Sequence, residues 1–262
     1  MLRQNFLQTK LNRGESVIGT WAVIPSVVSA DVIATTGIDF LVIDGEHGPT
    51  AFETGQAMVI ACESRGVSPV VRVGGLIEAD ILRALDIGAH CIHVPNVNSV
   101  QQARDVVDCA KYPPAGSRGF SPFTRAGGYS AYNGARLTAE ANGRTLLCIH
   151  IEGQDAVADI ESFLSVDGID IVFVGLYDLS KSMGAPGEVD SPRVRDGLRA
   201  CVTAILGAGK VPGTIANSPA QLRAMVELGV RYVTYSVDCE MLGRAYRDAV
   251  ADFAAITARS GN

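Results

Sequence analysis

A chain of 262 residues, 47% hydrophobic and 19% charged, can bury a large core without disulfides or a structural metal. Its net charge of −6 and pI near 5.2 exclude a sequence-independent nucleic-acid binder, which needs a basic face to neutralise phosphates. No apolar run is long enough to span a bilayer, so neither a membrane nor a nucleic acid is expected as partner.

The opening stretch MLRQNFLQTKLNRGES is amphipathic and polar and lacks the uninterrupted apolar run of a secretion signal, which makes the cytoplasm the expected location. Short apolar runs rich in β-branched residues then alternate with helical periodicity. Strands are predicted over residues 17–21, 40–44, 69–73 and 91–95, with helices over 26–35, 51–64, 78–85 and 99–110. Residues 111–143, with Pro113, Pro114 and several glycines, read as one irregular segment. A loop of that length is usually functional, as a cap on a mouth or an arm to a neighbouring subunit. Arg118 and Arg125 within it read either as mouth residues meeting the far end of an acidic substrate or as solvated loop arginines. Four more strands follow over 146–152, 171–175, 211–215 and 232–236, with helices over 155–164, 192–206, 219–228 and 238–257. Gly37, Gly88, Gly168 and Gly229, each just before a strand, read as helix stops.

Eight strand–helix units in a chain of this length predict an α/β fold, a closed (β/α)8 TIM barrel forming a single domain over 1–262, in preference to an open doubly wound sheet. Cys62, Cys91, Cys109, Cys148, Cys201 and Cys239 lie in or beside apolar segments without a CxxC pair, and read as reduced small hydrophobes.

A barrel carries its chemistry at the C-terminal ends of its strands, and there this sequence is unusually polar. The second strand runs into Asp44-Gly45-Glu46-His47-Gly48-Pro49, the third carries Arg72, the fifth ends His150-Ile151-Glu152, and the sixth leads into Gly175-Leu176-Tyr177-Asp178. Glu152 and Asp178, one strand–helix repeat apart, would converge from neighbouring strands. Two oxygen ligands with an otherwise open shell suit Mg²⁺, Mn²⁺ or a similar ion. The same acids can instead cap the helices that follow them. Asp44, Glu46 and His47 form either a hydrogen-bonded turn or a proton-transfer group, since an imidazole titrates near neutrality. Arg72, alone in an apolar run, must reach a carboxylate or the mouth, because unpaired burial of its charge is costly.

Taken in order, these phrases resemble the HpcH/HpaI aldolase family, the metal-dependent class II pyruvate aldolases acting on 4-hydroxy-2-oxo acids. FLVIDGEHGP (residues 40–49), LDIGA (85–89), YPPAGSRG (112–119), the stretch 168–180 and Val237-Asp238 carry the resemblance along nearly the whole chain. It implies a phosphoenolpyruvate/pyruvate-type barrel. It also implies reversible cleavage of a 4-hydroxy-2-oxo acid to pyruvate or a similar 2-oxo acid and an aldehyde, through an enolate stabilised by a divalent metal (Mg²⁺, Mn²⁺ or Co²⁺). By position, Glu152 and Asp178 match the metal ligands, His47 the proton-transfer residue, Asp86 the carboxylate that orients it, and Arg72 the arginine over the keto oxygen. Gly175 and the amides of Leu176 and Tyr177 match the carboxylate site, with Asp44 and Glu46 in support.

The chain departs from the family pattern at three places. His150 stands where glutamine is common and is placed to touch substrate or metal, Leu176-Tyr177 replaces Pro-Ala, and Pro95-Asn96-Val97-Asn98 replaces Pro-Met-Val. These changes leave two alternatives beside the aldolase: a decarboxylase or other carbon–carbon lyase using the same enolate, and a barrel that binds 2-oxo acids without turnover. Members form hexamers through the last helix, so a homo-oligomer, trimer or hexamer, is expected, with residues 241–256 packing on a neighbour.

Overall fold

The structure, a computed structural model, describes residues 4–130 and 134–259. A short helix α1 (Phe6–Asn12) precedes β1 (Val17–Ala22), α2 (Val27–Ala34), β2 (Phe40–Asp44), α3 (Phe52–Ser64), β3 (Ser68–Arg72) and α4 (Glu78–Asp86). Next come β4 (Cys91–Val94), α5 (Val100–Ala110), α6 (Gly134–Arg144), β5 (Leu146–Ile151) and the short pair α7 (Gln154–Ala158) and α8 (Ile160–Leu164). The chain continues through β6 (Ile171–Val174), α9 (Leu176–Ser182), α10 (Pro192–Gly207), β7 (Val211–Ala216), α11 (Pro219–Leu228), β8 (Tyr232–Val237) and α12 (Asp238–Arg259). The eight strands are parallel and close in sequence order, Gly19 lying beside Phe40 on one side and Val17 beside Tyr232 where the ring shuts. The protein is therefore a (β/α)8 barrel, and every strand lies within a residue of its predicted bounds.

Alternation along the strands sorts the side chains into two cores. Leu41, Ile43, Val71, Ile92, Leu147, Ile149 and Val172 face outward into the helices. Trp21, Phe40, Val70, Cys91, Cys148, Phe173 and Tyr232 fill the inside, which is a packed core and not a channel. Leu7 and Leu11 of α1 join this inner cluster, so α1 is a plug on the end of the barrel away from the site. Asn5 fastens it: its side chain caps α1 by accepting from the Gln8 amide and donates to the carbonyls of His90 and Arg144.

Three expectations are corrected. The segment 111–143 is not wholly irregular, because α6 forms over its last part; residues 131–133 lie outside the described residues. Ala, Leu, Glu and Arg in GARLTAEANGR are good helix formers, and Arg136 pairs with Glu140 one turn on. The helix predicted over 155–164 breaks at Asp159 into α7 and α8, and α9 follows β6 where no helix was predicted. Arg118 and Arg125 are neither at the mouth nor solvated. They are buried in ion pairs with Asp86 and Glu63, in a cleft shared with Asn5 and His90 near the α1 end.

Candidate active site

At the C-terminal ends of the strands lies a pocket of about 280 Å³, walled by Trp21, Asp44, Arg72, Glu152, Phe173 and Asp178 among others. Its foundation is Arg72 at the end of β3. Nε and Nη2 donate to the two oxygens of Asp44 at 2.8 and 2.5 Å, Nη1 lies 2.8 Å from Glu46 Oε2, and the guanidinium sits 4.3 Å from the centre of the Trp21 ring. The paired register of Asp44 and Arg72 on adjacent strands makes the fork possible. Burial alone would raise the Asp44 carboxyl, but Arg72 and the amides of Glu46 and His47 outweigh it and hold the group below its ordinary value. Glu46 moves the other way: burial outweighs the attraction of Arg72 and raises it.

Glu152 follows β5 directly and is only 7% exposed. It does not cap the next helix, since the N-cap of α7 is Gly153 and no side chain caps it; its Oε1 accepts the Asn96 amide at 2.7 Å instead. Burial, with smaller contributions from Asp178 and Glu46, raises Glu152 to about 7 against the pull of that amide and of Arg72. Asp178 stands in the first turn of α9, where a carboxylate meets the positive end of the helix dipole, and lies 3.4 Å from Lys181. Asp44, Glu152 and Asp178 thus line one pocket, and Asp178 and Glu46 both add to the difficulty of ionising Glu152. Glu152 and Asp178 are the oxygen donors this pocket offers to a hard cation.

Gly175 lets β6 approach Glu152 closely: a Cβ there would lie 2.5 Å from Glu152 Oε2. Gly175→Ala is therefore expected to push the carboxylate aside. With Glu152 as the ligand of an ion, isothermal titration should show Mn²⁺ affinity falling at least tenfold, roughly the size of effect that misplacing a ligand's support produces, with an unchanged far-UV CD spectrum.

His47 stands at the rim with its side chain 66% exposed and Nε2 3.9 Å from Glu46 Oε2. Asp86 is not brought to it. Asp86 ends α4, which runs back from the mouth, and its carboxylate receives Arg118 at 2.8 Å; within one chain it cannot orient His47. Leu176 and Tyr177 line the pocket beside Gly175, and Tyr177 accepts a hydrogen bond from Asn217 at 3.0 Å. His150 also lines the pocket, two residues before Glu152 on the inward face of β5. His93, Cys148 and His150 bring a potential ligand atom each to within 4.8 Å of one another. Their state is unlike that of a metal site: both nitrogens of His93 and one of His150 are hydrogen-bonded, and burial pushes the Cys148 thiol well up.

Three further residues contribute to the site without a local signal of their role. Trp21 floors the guanidinium. Asn96 adopts a left-handed backbone conformation, which asparagine tolerates, and so turns its amide onto Glu152. Asp238 accepts from the amides of Val23 and Ile24 and ties down the loop after β1. Pro95-Asn96 and Val237-Asp238 were visible in the sequence, but nothing local said what they would hold.

A parallel barrel with an acidic, arginine-bearing pocket at its strand ends has the arrangement of a small-molecule enzyme site. The chain belongs to the HpcH/HpaI aldolase/citrate lyase family, whose model matches residues 18–245. It is 35% identical over 259 residues to the 4-hydroxy-2-oxo-heptane-1,7-dioate aldolase of Salmonella arizonae, covering 98% of each chain. It is 36% identical over 255 residues to the 2-keto-3-deoxy-L-rhamnonate aldolase of Klebsiella pneumoniae, covering 96% of this chain and 94% of the other. A crystal structure of a family member from Burkholderia cenocepacia superposes with a TM-score of 0.91 at 29% identity, over 96% of this chain and all of that one. The protein is accordingly a carbon–carbon lyase, in a family generally dependent on a divalent metal.

Proposed function

We propose that this barrel cleaves 4-hydroxy-2-oxo acids reversibly to pyruvate, or a similar 2-oxo acid, and an aldehyde, with Glu152 and Asp178 holding a divalent ion. The observation that carries the reading is the buried Glu152 carboxylate, raised to about 7 among other carboxylates beside a locked Arg72. A hard cation such as Mg²⁺, Mn²⁺ or Co²⁺ suits that all-oxygen set. When bound, the ion supplies Lewis-acid stabilisation of charge developing on the keto oxygen.

The chain's own residues do the rest. Arg72 uses three N–H groups on Asp44 and Glu46 and has others left for the keto oxygen, where negative charge grows in the transition state. Because Asp44 fixes the guanidinium beforehand, little reorganisation accompanies the reaction. His47 at the rim takes the proton of the C4 hydroxyl as the C3–C4 bond breaks, its electron pair passing into the enolate while C4 becomes the aldehyde carbon. The wall of Gly175, Leu176 and Tyr177 receives the substrate carboxylate, and the bulk of Tyr177 narrows the mouth.

The defining half-reaction is exchange of the pyruvate methyl protons. Protein stripped of metal and followed by NMR in D₂O should exchange them only when Mg²⁺, Mn²⁺ or Co²⁺ is restored; no exchange with any of the three overturns the reading.

We further propose that the chain acts as one barrel domain in a homo-oligomer, a trimer or hexamer, located in the cytoplasm. The support for assembly is α12, whose main contacts are with β1 and β8 and whose Leu242, Tyr246, Val250 and Phe253 are exposed at helical spacing. The six unpaired cysteines suit a reducing compartment. Light scattering on the wild type should give an oligomer and on Tyr246→Glu/Phe253→Glu a smaller species; a monomeric wild type refutes the assembly.

A further inference from the structure

The inner core holds one run of polar groups that the proposed chemistry leaves unused. Tyr232 on β8, His93 on β4 and His150 on β5 are buried inside the barrel. Tyr232 Oη lies 2.9 Å from His93 Nε2, and His93 Nδ1 lies 3.0 Å from His150 Nε2. A phenol hydroxyl sealed in an apolar core has to place its proton on an acceptor, and among the described residues His93 Nε2 is the one within reach.

That choice propagates along the chain. A neutral His93 accepting at Nε2 carries its proton on Nδ1 and donates it to His150 Nε2. His150, accepting there, carries its own proton on Nδ1. This last N–H has no protein partner among the described residues. It is not walled in either, since buried side-chain nitrogens without a partner occur, among those residues, in Arg118, Arg125 and Arg231. It therefore opens on the pocket that His150 lines. The ring is held by Phe173, stacked 4.8 Å away at 28°, and by the edge-on contact with Trp21 at 6.1 Å.

We propose that Tyr232 and His93 are positioning residues that lock His150 as an Nδ1–H donor on the pocket floor, and that this N–H binds an oxygen of the bound 2-oxo acid. The ligand in this statement rests on the function proposed above; the tautomers do not. The chain makes the floor of the pocket selective: it favours a substrate with an oxygen acceptor there and disfavours one presenting a donor or a methyl group, which would leave a buried N–H unsatisfied.

Long-range ¹H–¹⁵N correlation NMR on metal-free, ligand-free protein with ¹⁵N-labelled histidine reads the tautomers directly. His93 and His150 are expected as neutral Nδ1–H forms, and an Nε2–H tautomer at His150 overturns the proposal whatever the substrate is. Tyr232→Phe removes one hydroxyl at the far end of the chain and should mix both tautomers; an unchanged pattern overturns the roles of Tyr232 and His93. With Mg²⁺ and oxalate, a planar stand-in for the pyruvate enolate, the His150 Nδ1 proton should move downfield. A bound oxalate that leaves it unmoved overturns the donor role. Oxalate that fails to bind, with the expected tautomers in place, removes the 2-oxo acid reading and the ligand half of the proposal with it. In turnover, His150→Phe should lower kcat/KM about tenfold, mainly through KM, while His150→Gln, which keeps an N–H donor, should restore most of it. Equal kcat/KM in His150→Phe and wild type would also overturn the proposal.

Discussion

Replacing Glu152 by glutamine is expected to abolish metal-dependent exchange of pyruvate methyl protons and, in the same protein, to raise the stability of the metal-free barrel above neutral pH. The two effects have one cause. Glu152 is 7% exposed and titrates near 7 in the fold, against 4.5 for the ordinary group, so between those values the folded state binds a proton that the unfolded chain has lost. Stability contributed by the protonated group is thus present below about 4.5 and declines as pH rises through about 7. The full difference is of order 3 kcal/mol above neutrality. A cation at the site removes this penalty by pairing with the ionised form, and the proton competes with it, so metal affinity should climb with pH through the same range.

Glutamine has the size of glutamate and nothing to ionise. Thermal melts of the Glu152→Gln protein should therefore lose the wild-type decline between pH 5 and pH 8 in chelator and, without chelator, lose the stabilisation by Mn²⁺, alongside a drop in exchange rate of roughly 10³-fold, the scale of several kcal/mol of lost transition-state stabilisation. A variant that melts like wild type at every pH and still responds to Mn²⁺ would show that Glu152 is not the ligand.

Removing Arg72 should do the opposite, destabilising the fold together with the reaction. Asp44 is 1% exposed, and its two oxygens are occupied by Nε and Nη2 of Arg72 and by the amides of Glu46 and His47. Arg72→Ala leaves that carboxylate buried beside Glu46 without its counter-charge, and breaking a buried pair from one side costs about 3–5 kcal/mol. Arg72→Lys keeps a charge but cannot make the fork or lie flat on Trp21, so it should recover part of the stability and little of the turnover. Arg72→Ala/Asp44→Asn should be more stable than Arg72→Ala alone. Urea unfolding of wild type, Arg72→Ala, Asp44→Asn and the double variant measures the coupling, and additive losses would mean that the pair contributes nothing as a pair.

How far the sequence reaches is clearest at particular residues. Eight apolar runs, each bounded by glycine or polar turns, determined the strands, because period-two burial and β-branched side chains are local properties. The same punctuation determined most of the helices and the barrel that closes them. Glu152, Asp178, Arg72 and Asp44 were legible as strand-end charges, and the order of their motifs pointed to the family. α6 escaped because the prolines and glycines that precede it make the whole stretch read as one irregular segment, and α9 because seven residues span too few turns to show a period.

Partners distant in sequence are brought together only by the closed barrel. The amide of Asn96 on Glu152, the ring of Trp21 under Arg72 and the carboxylate of Asp238 on the β1 loop each join elements that meet only when the barrel shuts. Asp86, whose motif matched a catalytic carboxylate, is carried by α4 away from the mouth to Arg118. The direction in which Tyr232 sends its proton is set by the apolar core around it. The physical reason is the same in each case: backbone propensity acts over a few residues, whereas the charge, burial and hydrogen bonding of a side chain depend on neighbours supplied by closure of the ring.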